Sequence, residues 1–265
     1  MYEFDYHQPQ SVNDAVELLS AKENAKPLAG GMSLLPSLKL RLARYSDLVG
    51  LEKLGIQGIE RRGDTLVVGA MTRHHDVANS ETVQAAIPAL ASLAGGIGDP
   101  LVRNRGTIGG SIANADPAAD YPSAVLAMNA SVQTNKRAIA GDNFFVGLFE
   151  TALEPGEIIT AVHFPIPSSA IYVKLPNAAS RFALVGVFIA RFADGVRVAV
   201  TGAGPHVFRL KDAEAALSKN FSVKSVENLT VDSGELNTDI HASAEYRAHA
   251  VTTILQRAVA AMEQA

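Results

Sequence analysis

Ala29-Gly30-Gly31-Met32-Ser33 and Thr107-Ile108-Gly109-Gly110-Ser111 are the two stretches on which the reading of this chain turns. A glycine pair carries no Cβ, so the backbone can turn sharply and come close to a ligand. Successive N–H groups can then face one anion, and a serine hydroxyl adds a donor. One such stretch is ordinary turn punctuation, and two unrelated turns are the plain alternative. Two matched stretches predict two clamps on one pyrophosphate. Neither fits the Gly-x-Gly-x-x-Gly dinucleotide fingerprint or a P-loop, which disfavours a standard Rossmann or NTPase site.

Outward from these stretches, the chain alternates short strand and helix patterns. Ser11 is placed to cap a helix beginning at Val12, and Lys26-Pro27-Leu28-Ala29 reads as a strand running into the first glycine pair. Residues 34–42 have helical spacing, and residues 45–51 read as a strand edge. Residues 56–59 and 65–70 form a hairpin pattern around Arg61-Arg62-Gly63-Asp64. Residues 85–94 read as one small-residue helix ending at Gly95-Gly96. Residues 98–120 are dense in Gly, Asp, Asn and Pro between two apolar segments, the mark of a functional irregular insertion. Pro165-Ile166-Pro167-Ser168-Ser169 reads as a linker. Beyond it, two strands pair around Ala193-Asp194-Gly195, and helices follow at 210–219 and 243–262. Strands followed by helices predict a separate α+β unit.

Composition sets limits. The chain has 265 residues, 48% of them hydrophobic, enough for one large domain or two ordinary ones. Its net charge of −4 argues against a nucleic-acid or anionic-membrane surface. It has no cysteine, so it cannot itself hold a thiolate-ligated iron–sulfur cluster or use a thiol nucleophile. No apolar run is long enough to span a bilayer and no secretory signal is visible; a cytoplasmic location is expected.

Within the polar insertion, Arg103 and Arg105 could neutralise phosphate charge, although pairing with nearby carboxylates is the favoured role. Asp116 and Asp120 could accept hydrogen bonds from ribose hydroxyls or an adenine amine. A helix N-cap is the structural alternative for Asp120. His74 and His75 are adjacent and lack metal-ligand spacing, and no Ser/His/Asp arrangement emerges. No catalytic residue and no metal ligand is assigned.

Taken together, these residues resemble the FAD-binding medium subunit of the molybdenum hydroxylases. That family includes the flavoprotein subunit of aerobic carbon monoxide dehydrogenase and the flavin domain of xanthine dehydrogenase. The resemblance rests on Ala29-Gly30-Gly31-Met32-Ser33-Leu34-Leu35-Pro36 with Lys39-Leu40-Arg41. It rests more firmly on Gly98-Asp99-Pro100-Leu101-Val102-Arg103-Asn104-Arg105-Gly106, which runs through the second glycine pair to Asn114-Ala115-Asp116-Pro117-Ala118-Ala119-Asp120. Lys174-Leu175-Pro176-Asn177 and Val200-Thr201-Gly202-Ala203-Gly204 extend it across the C-terminal half.

The resemblance implies an α+β fold: a two-subdomain FAD-binding domain of the vanillyl-alcohol-oxidase (PCMH) type over residues 1–167, with subdomains at about 1–55 and 56–167. A smaller α+β domain like that of carbon monoxide dehydrogenase flavoproteins would occupy 168–265, with a three-stranded sheet and a helical bundle. It implies FAD held by Pro27, Leu28, Ala29, Gly30, Gly31, Met32, Ser33 and Leu34, and by Thr107, Ile108, Gly109, Gly110 and Ser111. Asp120 matches a position that contacts FAD, and Ile97, Ile159 and Lys174 fall near the flavin or its ribityl chain. Lys174 there would stabilise negative charge on the reduced ring. Met32 departs from the His, Gln or Thr that relatives often carry, and it cannot donate a hydrogen bond. The family also implies partners: a large molybdenum-cofactor subunit and a small iron–sulfur subunit, assembled as a dimer of heterotrimers. The chain would relay electrons from iron–sulfur clusters through FAD to an external acceptor. The alternative is a self-contained flavin oxidase of the same fold, which would need its own substrate pocket and base. The C-terminal part lacks the aromatic or histidine clustering that would suggest one.

Overall fold

The structure, a computed structural model, describes residues 1–264. The chain opens with β1 (Asp5–His7), α1 (Val12–Ala21), β2 (Ala25–Leu28), α2 (Leu34–Lys39) and β3 (Asp47–Gly50). Ser11 caps α1 as expected, its hydroxyl accepting from the Asp14 N–H at 3.1 Å. The three strands form a parallel sheet in the order β1-β3-β2, so β3 is central and buried along its length rather than an edge. Its polar residue can be buried because Asp47 Oδ1 meets His7 Nε2 and Lys22 Nζ, each at 2.7 Å.

Next come β4 (Ile59–Arg62), β5 (Thr65–Gly69), α3 (His74–Asn79), α4 (Glu81–Ala86), α5 (Pro88–Gly95), α6 (Pro100–Arg105), α7 (Ile108–Asn114), α8 (Tyr121–Ala127), β6 (Ser131–Thr134), β7 (Ala138–Ala140), β8 (Phe145–Gly147), β9 (Glu150–Thr151) and β10 (Ile159–Pro165). Five of these strands form an antiparallel sheet in the order β4-β5-β10-β6-β7. The hairpin closes tightly at Gly63-Asp64, and Arg61 and Arg62 lie in β4 rather than in the turn. The first strand starts later than its hydrophobic pattern suggests, because Gly58 takes φ +121° and breaks the extended run. The single helix expected over 85–94 is two, divided at Ile87 by Pro88 in the first helical position of α5.

Residues 98–120 are not an irregular insertion. They contain α6 and α7, capped by Asp99 and Thr107, whose side chains accept from the Val102 and Gly110 N–H groups at 2.9 and 3.1 Å. Polar composition there marks helix caps and short connections, not absence of structure.

The C-terminal part has β11 (Ser169–Pro176), β12 (Ala183–Phe192), β13 (Gly195–Thr201), β14 (Phe208–Arg209), α9 (Lys211–Lys219) and α10 (Ala244–Glu263). Its sheet is antiparallel in chain order, and the two-residue β14 makes it four-stranded rather than three. Among the described residues its α-helices are the pair α9 and α10, on one face of the sheet, rather than a bundle. Val185, Val187 and Ile189 pack toward that pair, whereas Phe188 and Ala190 join the core that contains α5 and α8. Burial on both faces is why β12 reads as a continuous apolar run. The fold is α+β, and among the described residues no helix is long and apolar enough to cross a membrane.

Candidate functional site

The first glycine stretch is the connection from β2 into α2. The Leu28 carbonyl is held by the Leu51 N–H at 3.0 Å, and Gly31 turns the chain at φ +77°. The N–H groups of Gly30, Gly31, Met32 and Ser33 donate to no protein acceptor among the described residues. Ser33 precedes α2 but its hydroxyl makes no cap bond. Met32 is 37% exposed. This stretch therefore presents a run of free donors.

The second stretch behaves differently. Ile108 N–H donates to the Thr72 carbonyl at 3.1 Å, Gly109 N–H to the Ala70 carbonyl at 2.8 Å, and Ser111 N–H to the Thr107 carbonyl at 2.9 Å. With Gly110 N–H on Thr107 Oγ1, the four successive amides of residues 108–111 are spent inside the protein. These residues start a helix docked on the end of β5, so their amides cannot form a second fan of free donors. Gly109 is small for packing reasons: a Cβ there would lie 2.6 Å from the Ala70 Cβ. What this stretch can offer a ligand is hydroxyls, from Thr107 and Ser111, and close approach.

The two stretches meet. A Cβ on Gly30 would lie 2.0 Å from the Arg105 carbonyl oxygen and 2.9 Å from the Gly106 Cα. A Cβ on Gly110 would lie 3.3 Å from that of Ala29. Backbone thus touches backbone where the parallel sheet borders the helical layer, and glycine alone permits it. Arg103 serves this corner structurally, though on carbonyls rather than carboxylates: it donates to Ile97 O at 3.0 Å and Gly98 O at 3.3 Å.

A second cluster lies beyond α7, a seven-residue helix about 10 Å long. Here Asp120 is 4% exposed. It stands at the head of α8 in helical conformation and makes no cap bond, so the N-cap alternative fails. Its Oδ1 accepts instead from Tyr172 Oη at 2.5 Å and from Lys174 Nζ at 2.9 Å. Burial pushes the Asp120 carboxyl above the usual aspartate range, opposed by the Lys174 charge and the Tyr172 bond. Lys174 also donates to Gly96 O at 2.9 Å and Arg181 O at 3.1 Å, which uses all three ammonium hydrogens. Asp116 is a turn residue, with Oδ1 accepting from the Ala118 N–H at 2.9 Å. Ile97 is partly buried at the α5–α6 corner, and Ile159, 5% exposed at the start of β10, belongs to the core.

Near the site, Tyr172, Tyr121 and the burial of His74 escape a sequence reading. Tyr172 reaches Asp120 across 52 positions, a partnership no local pattern announces. His74 and Tyr121, with ring centroids 5.3 Å apart, are buried with His74 Nδ1 and Tyr121 Oη unpartnered. Burial, with the Arg103 charge nearby, depresses the His74 pKa to about 4. Among the described residues no three His, Asp or Glu side chains are grouped to hold a metal.

The site suits an extended, anionic, hydroxyl-bearing ligand, and the comparisons agree. Residues 2–167 match the family model described as the FAD binding domain in molybdopterin dehydrogenase. Fold and site therefore define a flavin-nucleotide-binding protein. The chain is 34% identical to the carbon monoxide dehydrogenase medium chain of Hydrogenophaga pseudoflava, over 97% of this chain and 96% of that one. It is 35% identical to the nicotine 6-hydroxylase medium subunit of Paenarthrobacter nicotinovorans, over 96% and 95%. Carbon monoxide dehydrogenase from Hydrogenophaga pseudoflava superimposes with a TM-score of 0.89, at 34% identity, over 99% of this chain and 98% of that chain. The chain belongs to the FAD-binding medium subunits of the molybdenum hydroxylases.

Proposed function

We propose that this chain is the electron-transfer subunit of a molybdenum hydroxylase complex. It takes electrons from iron–sulfur clusters on a small partner subunit and passes them to an external acceptor. A large partner subunit carries the molybdenum cofactor and oxidises the substrate, and the assembly is a dimer of heterotrimers in the cytoplasm. Residues 1–167 form the FAD-binding part in this reading, and residues 168–265 a C-terminal domain that contributes Tyr172 and Lys174 to its edge.

The observation that carries the reading is the close contact between the two glycine stretches, one of which leaves the N–H groups of Gly30, Gly31, Met32 and Ser33 without a protein acceptor among the described residues. That cradle fits a pyrophosphate. FAD, when bound, supplies the redox chemistry. The residues of this chain supply placement. The four amides and two hydroxyls hold the pyrophosphate, and the Oδ2 of Asp120 accepts from a cofactor hydroxyl. Lys174, with every ammonium hydrogen committed, acts through its charge rather than by a direct bond. Relatives named for oxidising carbon monoxide and for hydroxylating nicotine share this chain's design. That variety supports a substrate site on the partner rather than here.

The test is purification together with the proteins encoded beside it. A complex of three subunit types with flavin and iron–sulfur absorption, whose flavin bleaches on adding the substrate of the molybdenum subunit, is the expected result. Full turnover of an organic substrate by the isolated chain would overturn the relay and favour a self-contained oxidase.

A further inference from the structure

The two oxygens of Asp120 differ in their side-chain partners. Both side-chain donors, Tyr172 Oη and Lys174 Nζ, converge on Oδ1, and no other side chain among the described residues donates to Oδ2. A buried carboxylate held this way has a fixed orientation, because each donor sits on a rigid element. Tyr172 and Lys174 are two residues apart on β11 and so project from the same face of the sheet. The Tyr172 ring lies against Phe188, with centroids 6.1 Å apart and planes at 29°. Phe188 is opposite it in the neighbouring strand and fully buried.

The path of the hydroxyl explains a glycine that the sequence leaves unexplained. Gly186 lies within β12, opposite Lys174 and Thr201, where strand propensity favours a side chain. Its φ is not positive, so conformation does not demand glycine there. Space does: a Cβ would fall within van der Waals overlap of Tyr172 Oη and would crowd Thr201 Cγ2 at 3.0 Å. Tyr172 is a rigid ring that cannot bend around such a methyl and still reach Asp120.

We propose that Tyr172 is a positioning residue for the flavin nucleotide: its hydroxyl, admitted by the bare backbone of Gly186, holds Asp120 so that Oδ2 faces a cofactor hydroxyl. This rests on the reading that Asp120 contacts FAD. Lys174 sets the charge balance of the carboxylate and Tyr172 sets its direction, since a hydroxyl on an anchored ring gives a directional bond where an ammonium shared among three acceptors does not.

A double-mutant cycle on FAD binding tests it. The apoprotein forms of wild type, Tyr172→Phe, Asp120→Ala and the double variant are titrated with FAD and followed by flavin fluorescence. Tyr172→Phe removes only the hydroxyl, and it weakens binding about five- to tenfold, the loss of one charge-assisted bond's worth of alignment. In the Asp120→Ala background the same change has no further effect on FAD affinity, because there is no carboxylate left to aim. A merely structural tyrosine would instead weaken binding by the same factor in both backgrounds, which overturns the proposal, as does wild-type affinity in Tyr172→Phe. If Asp120→Ala itself binds FAD like wild type, the underlying Asp120 contact is wrong and this inference falls with it. Gly186→Ala provides a second route: it keeps the tyrosine but displaces its hydroxyl, and it weakens FAD binding as Tyr172→Phe does. Wild-type affinity in Gly186→Ala would count against the role assigned to that hydroxyl.

Discussion

Gly30→Ala is the substitution the structure forbids most clearly. The added Cβ would lie 2.0 Å from the Arg105 carbonyl oxygen, 2.7 Å from its carbon and 2.9 Å from the Gly106 Cα. All three atoms are backbone, so no side chain can rotate away. A carbon and an oxygen need about 3.3 Å or more between them (the C···O contact range for weak hydrogen bonds begins there). The two glycine stretches must therefore separate by roughly 1 Å, which opens the cradle between them. Forced overpacking typically costs about 1–3 kcal/mol. For a chain of this size that corresponds to a fall in Tm of roughly 2–10 °C. FAD affinity should drop further still, because the free amides of the first stretch move relative to the second stretch. Gly95→Ala is the matched control: its nearest neighbour would be the Ala78 Cβ at an ordinary 3.8 Å, and its φ is not positive. It should leave both properties unchanged or raise Tm slightly. Thermal unfolding by circular dichroism, with and without FAD, and titration of the two apoproteins decide the matter. A Gly30→Ala protein with the Tm and FAD affinity of the Gly95→Ala control would refute the argument that this contact builds the site.

Asp120→Ala removes a charged acceptor and should reduce FAD affinity tenfold or more, from the loss of about 1.5–3 kcal/mol. It should also lower the Tm of the apoprotein, because it strips the partly buried Lys174 ammonium of its carboxylate. Met32→Ala should change FAD affinity less than twofold, since the side chain is exposed and donates no hydrogen bond; a large loss on titration would assign Met32 a contact of its own. His74 gives the folded protein a defined acid sensitivity. Its folded pKa of about 4 lies below the ordinary histidine value, so between about pH 6.5 and 4 the unfolded chain binds the proton that the folded chain refuses. The stability this neutral histidine allows is complete above pH 6.5 and lost as pH falls toward 4, by up to about 3 kcal/mol. Denaturant unfolding at pH 7 and pH 4.5 should show that loss in wild type and much less of it in His74→Leu; equal losses would mean that His74 is not the group responsible.

The sequence by itself determined the local pieces and the family. Ser11 before an amphipathic run, Gly63-Asp64 between apolar segments and Ala193-Asp194-Gly195 between two strands each specify a cap or a turn through φ preferences and short-range hydrogen bonds. Such signals act over a few residues and survive without tertiary context. The glycine pairs were legible as places of close approach for the same reason. What their amides do was not. Gly30 to Ser33 leave theirs free and the residues around Gly109 spend theirs, because α7 docks against Ala70 and Thr72 whereas no carbonyl accepts from the amides of the first stretch. The polar span 98–120 likewise read as irregular, since caps and connections share their composition with loops. Asp120 is the sharpest case. Its local sequence also allows a helix cap, yet packing delivers Tyr172 and Lys174 from a strand far along the chain, and the carboxylate turns to them. Contacts of that separation are set by how sheets and helices stack, and a buried charge takes whichever donors the stacking brings. The same stacking made β3 central and left Gly186 bare beneath a tyrosine hydroxyl. Residue type alone shows that a donor, an acceptor or a bare backbone is present; only the folded chain decides what stands opposite it.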